Sequence, residues 1–92
     1  MPIEQRRRNA IEAAVVAYDR ANPKARLPRT AALLLAAMFP SEDVCQRSLE
    51  AIAVDRLPAM LRRLVEAGFL SREHGPGRAP DTYRLHLPPV RS

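Results

Sequence analysis

The stretch VDRLPAMLRRLVEAGFLSREHGPGRAPDTYRLHL, residues 54–87, decides the fold of this chain. It opens with Asp55, whose carboxylate can accept hydrogen bonds from the free N–H groups of a helix start, and it places Pro58 in the first turn, where a missing donor costs little. Leu57, Leu61, Leu64 and Gly68 then recur at helical spacing with Met60 and Val65 beside them. One face is therefore apolar, while Arg56, Ala59, Arg62, Arg63 and Glu66 lie mostly off it. Gly68 ends the helix because it can take the left-handed conformation of a C-cap, and Phe69 and Leu70 can fold back onto the helix just left. A short run, Ser71 to His74, leads into a Gly/Pro-rich segment, residues 75–81, that is neither helix nor central strand. Thr82 to Leu87 alternates, with Tyr83, Leu85 and Leu87 on one side and Thr82, Arg84 and His86 on the other, as in a half-buried strand. The order is helix, strand, long basic turn, strand.

Working outward, residues 41–53 read as a preceding helix. Ser41 is its N-cap, Glu42 and Asp43 sit in its first turn, and Cys45, Leu49, Ile52 and Ala53 form its buried side. Val54 and Asp55 are left as a tight turn, so helix 41–53, turn and helix 55–68 form a helix-turn-helix by order and length. Upstream, Thr30 is expected to cap AALLLAAMF, residues 31–39, which is apolar nearly all round and must be central or lie against a partner chain. Residues 3–21 read as a first helix, with Ile11, Ala14, Val15 and Tyr18 as its stripe and Ala10, Ala17 and Ala21 widening it. PKARLPRT, residues 23–30, is a basic connector, and residues 88–92 form an irregular, exposed tail.

LRRLVEAGFLSRE and DTYRLHLPP resemble the winged-helix family of DNA-binding domains, as the end of a recognition helix running into a first wing strand and as the strand that returns. The resemblance covers about a third of the chain strongly. It implies a mainly α (α+β) winged helix-turn-helix, with four helices and a C-terminal two-stranded β-hairpin wing. The division expected is residues 1–26 as an N-terminal helix and connector able to serve dimerisation, 27–88 as the winged-helix domain and 89–92 as the tail.

Composition agrees with one small domain: 92 residues, 47% hydrophobic but only 4% aromatic, so the core rests on Leu, Ala, Val, Ile and Met. The net charge is +5, and the excess sits at the two ends. Residues 1–30 hold seven basic and three acidic side chains, 31–70 four and five, and 71–92 four and two. Fourteen of the fifteen basic residues are Arg, which suits phosphate and guanine edges, although an Arg-, Ala- and Pro-rich composition also follows from a GC-rich bacterial or phage genome. A single cysteine rules out an internal disulfide framework and fits a reducing, cytoplasmic compartment. No apolar run approaches a membrane span, and MPIEQRRRNA lacks the apolar core of a secretory signal.

For chemistry, the expected partner is double-stranded DNA. Arg56, Ala59, Arg62 and Arg63 would lie along the groove-facing side of helix 55–68, with Arg56 and Arg63 the leading base-edge candidates. Arg78 would sit at the wing tip, flanked by Arg72 and Arg84, to reach backbone or minor groove. Arg6, Arg7 and Arg8 fall in the first turns of a helix, where positive charge opposes the helix dipole. They form a solvated basic face, a supporting phosphate contact or a surface for an anionic protein. The competing reading of the arginines is surface solvation or pairing with Glu66, and Asp55 and Glu66 weigh against an ideally basic helix. Tyr83 and Cys45 read as core, and His74 and His86 as flanking the wing. There is no paired metal-ligand spacing, no phosphate loop and no nucleophile elbow, so neither an enzyme nor a cofactor is expected. A transcriptional regulator or mobile-element accessory factor is the expectation, as a homodimer that disposes of the surplus apolar faces. A winged helix that binds protein, as an assembly subunit or an inhibitor of a nucleic-acid-handling complex, is the rival.

Overall fold

The periodicity over residues 3–21 produces helix α1 (Ile3–Ala21), whose first turn closes when Gln5 and Arg6 donate to the carbonyl of Pro2. Ile11 and Val15 are buried, with Ala14 and Tyr18 packed half-exposed beside them, whereas Ala10, Ala17 and Ala21 face solvent and do not widen the stripe. The computed structural model describes residues 2–46 and 57–90. Asn22 ends α1 by donating from both its backbone and its side-chain amide to the carbonyl of Tyr18. Asp19 then reaches forward to accept from the backbone N–H of Leu27, a buried residue that pins the connector to α1.

Helix α2 (Thr30–Met38) begins one residue earlier than expected, because the Pro28 carbonyl accepts from Ala31 and no side chain caps it; Thr30 is its first residue, not its N-cap. Ala31, Leu34, Leu35 and Met38 are buried, while Leu33 is 59% exposed. The nearly all-round apolar character therefore does not make the helix central on every side. Phe39, just past its end, is wholly inside.

The largest departure follows. Residues 41–46 do not start a helix: Val44–Cys45 is a strand, β1, and Ser41 is not an N-cap. The reason lies in long-range partners that a local reading does not contain. The Asp43 carboxylate pairs with Arg7, its carbonyl accepts from Leu85, and Cys45 is buried opposite Tyr83. The remainder of the expected helix, the Val54–Asp55 turn and Arg56 lie outside the described residues.

Helix α3 (Leu57–Ala67) continues into strands β2 (Leu70–Glu73) and β3 (Thr82–Leu85). The sheet is antiparallel with order β1-β3-β2, so the expected two-stranded hairpin carries a third strand on its returning edge. Register pairs Leu70 with Leu85, Ser71 with Arg84, Arg72 with Tyr83 and Glu73 with Thr82. The described residues thus form a small α+β domain of three helices and a three-stranded sheet. One core joins them: Ile11, Leu34, Leu35, Phe39, Leu64 and Phe69 are its largest fully buried side chains. Tyr18 meets Phe69 edge to face, with ring centroids 5.6 Å apart, so α1 docks on its own domain. No helix among the described residues is long and apolar enough to cross a membrane.

Candidate nucleic-acid interface

The exposed face of α3 follows from its apolar spacing. Met60, Leu64 and Ala67 are buried and Leu57 and Leu61 half-buried, which leaves Ala59, Arg62, Arg63 and Glu66 in solvent. Gly68 stops the helix with a Schellman arrangement, in which its N–H reaches the Val65 carbonyl at 3.1 Å and that of Phe69 reaches Leu64 at 3.0 Å. Its φ of +89° is one that L side chains rarely adopt. The tail is irregular and exposed at Val90, as expected, but its backbone returns here: Val90 donates to the Gly68 carbonyl, and a Cβ at position 68 would stand 2.1 Å from the Val90 oxygen. The direction in which the chain leaves α3 to start the hairpin is therefore fixed.

The hairpin loop is organised by Asp81. One carboxylate oxygen accepts from Arg72 Nε at 2.7 Å and lies 2.6 Å from its Nη2, the other accepts from Gly75 N–H at 3.1 Å, and His74 Nδ1 stands 3.5 Å away. The Arg72 hydrogen bond, helped by the Gly75 amide, holds the Asp81 carboxyl below the usual carboxylate range. Arg72 also sits over the Tyr83 ring, 5.9 Å from its centroid, and burial pushes the Tyr83 phenol up. Gly77, at φ +57°, makes the turn at the tip, next to exposed Arg78. On the other side of the sheet, Arg84 stands opposite Ser71, whose hydroxyl is 2.6 Å from His86 Nε2.

The sequence-expected residues therefore divide. Arg62, Arg78 and Arg84, together with Arg6 and Arg8 on α1, present exposed guanidinium groups without a hydrogen bond or ion pair to a described residue, and Ala59 is exposed beside Arg62. Arg63 is exposed but donates to the carbonyl of Arg26, at 2.5 Å. Arg72 is held in the loop by Asp81. Arg7 turns inward, giving Nε to the Phe39 carbonyl at 3.1 Å and Nη2 to the Glu42 carbonyl at 2.9 Å and to Asp43 Oδ1 at 2.7 Å. It ties α1 to the segment before β1, a role that its place in an Arg triplet does not signal. Among the described residues no group of three or more His, Cys, Asp or Glu side chains could hold a metal ion. Cys45 is buried, as expected, but on a strand.

No protein family matches the chain, and neither characterised proteins nor solved structures give a match.

Proposed function

We propose that this protein is a winged-helix domain that binds double-stranded DNA as a small transcriptional regulator or mobile-element accessory factor. The observation that carries the reading is the continuous path from α3, with Arg62 and Arg63 exposed, through the Gly68 stop into an antiparallel hairpin with Arg78 at its tip. A helix of this kind can lie in the major groove, where an Arg recognises guanine bidentately, while the hairpin meets the neighbouring backbone or minor groove. Arg84 on the hairpin and Arg6 and Arg8 on α1 add sequence-independent attraction. Exposed Ile3 and Leu33 on α1 and α2 support a homodimer within the same proposal, tested by a mass measurement in solution.

Fluorescence anisotropy with the protein's own upstream DNA and a scrambled duplex, across roughly 50 to 200 mM salt, tests the reading. Preference for the upstream duplex is expected. Arg62→Ala should cost about 1 to 3 kcal/mol of that preference, and Arg78→Ala should make the salt slope shallower by about 0.9. Weak, equal binding of both duplexes that vanishes at the higher salt would overturn it. That outcome would instead favour the protein-binding module, a reading kept in view by Glu66 on the exposed face of α3 and by the engagement of Arg63 and Arg72 within the domain.

A further inference from the structure

The connector between α1 and α2, residues 22–29, is not a slack loop. Its turn is closed by Ala25 donating to the Asn22 carbonyl, Leu27 is buried with its N–H on the Asp19 carboxylate, and the Arg26 carbonyl accepts from Arg63 of α3. The last contact brings the connector to the exposed face of α3. The side chains it carries there are basic: Lys24 and Arg26 are exposed, and Arg26 lines an open groove with Arg20 of α1, Val16, Asp19 and Pro23. Asp19, the acidic member of that groove, is already engaged with Leu27. Of the three cations, Arg26 is joined to α3 through its backbone carbonyl and shares its groove with Arg20, and none of Arg20, Lys24 and Arg26 has a side-chain hydrogen bond or ion pair to a described residue.

We infer that the end of α1 and the α1–α2 connector form a second backbone-binding element, in which Arg20, Lys24 and Arg26 hold DNA phosphates next to the connector's contact with α3. The inference rests on the DNA-binding reading and extends it. The bound duplex then spans hairpin, α3 and connector, and the contacts of the connector are blind to sequence, because they go to phosphates. Arg63 acts here as a positioning residue: its bond to a backbone carbonyl fixes where the connector lies, and Arg26→Ala leaves that bond in place.

Two measurements test it together. The variant Arg20→Ala/Lys24→Ala/Arg26→Ala should retain the thermal melt of the parent, since the side chains removed are exposed. Each phosphate contact contributes about 0.9 to the slope of log affinity against log salt, so the variant should be shallower by roughly 2.7 and lose about 40-fold less affinity than the parent between 50 and 200 mM. The chain has one cysteine, and it is buried, so Lys24→Cys can be tagged selectively with an iron chelate. Cleavage of the upstream duplex should then cluster at a defined backbone position beside the α3 site. An unchanged slope, or a chelate that cuts nowhere in particular while the protein still binds, would overturn the connector's role and leave the α3 and hairpin reading standing. Absence of DNA binding by the parent overturns both.

Discussion

Arg7→Ala separates a structural cation from those proposed to bind DNA. The side chain is 22% exposed and makes three hydrogen bonds, to the Phe39 and Glu42 carbonyls and to the Asp43 carboxylate, which is itself 68% exposed. The carboxylate leg is a surface ion pair and contributes about 0 to 1 kcal/mol after solvent screening. The carbonyl legs contribute about 0.5 to 1.5 kcal/mol each, the part-buried Phe39 leg toward the upper end and the exposed Glu42 leg, whose carbonyl water can serve, toward the lower. The sum is roughly 1 to 4 kcal/mol. In a domain of this size that corresponds to a fall in melting temperature of roughly 4 to 32 °C. Arg8→Ala, one residue away and exposed, should stay within about 0.5 kcal/mol of the parent. Asp43→Ala should cost less than Arg7→Ala, because it removes one leg of three. Thermal and urea unfolding followed by circular dichroism give all three numbers. Arg7→Ala and Arg8→Ala unfolding together, within about 0.5 kcal/mol, would refute the clamp and return Arg7 to the pool of surface cations.

Gly68→Ala should destabilise the fold by about 2 to 3 kcal/mol, from the cost of a left-handed alanine plus displacement of Val90. Ending the chain after Pro88 should recover the displacement part only, and equal losses in the long and short chains would show that the tail does not dock. Asp81 is held low by Arg72 and by the Gly75 amide, so its contribution to the hairpin is complete above the ordinary carboxylate value and is lost as pH falls below it through the depressed one. The Gly75 amide resonance should accordingly titrate at lower pH than an exposed carboxylate, and this dependence should be absent in Asp81→Asn; a midpoint at or above the ordinary value would contradict the assignment. Arg63→Ala should weaken the upstream and scrambled duplexes by the same factor, as expected for a residue that places the connector. Loss confined to the upstream duplex would mean that Arg63 reads a base instead.

How much of this was legible in the sequence depends on the range of the interaction that fixes each element. Helix α1 was readable to the residue, because Ile11, Val15 and Tyr18 repeat at a spacing that local structure alone dictates. So were the Gly68 stop and the alternation through β3, where Tyr83 and Leu85 are buried and Arg84 is exposed. The segment after Pro40 was misread for a physical reason. Ser41, Glu42 and Asp43 have the composition of a helix start, and a local reading has no access to Arg7, which lies 36 positions before Asp43 in the chain, or to the returning edge of the hairpin that β1 pairs with. Strand β1 exists because an antiparallel edge was left open by β3, and that vacancy is a property of the assembled fold.

The candidate site obeys the same rule. All the arginines carry the same charge, and only the location of an acceptor separates them: Arg7 finds two carbonyls and a carboxylate, Arg63 a carbonyl of the connector and Arg72 the carboxylate that gathers the hairpin loop. Each tied arginine sits at a junction, respectively between α1 and the approach to β1, between α3 and the connector, and between the two ends of the loop. The free ones, Arg62, Arg78 and Arg84, project from the elements so joined. Fixing the frame before a ligand arrives lowers the ordering cost of binding, so cations on a fixed frame bind a rigid polyanion more tightly than the same charges on slack loops. On the DNA-binding proposal, the tied arginines therefore act on affinity through geometry. Removing one should reduce the advantage of a duplex over a flexible single strand of equal charge, whereas removing Arg62 or Arg78 should weaken both.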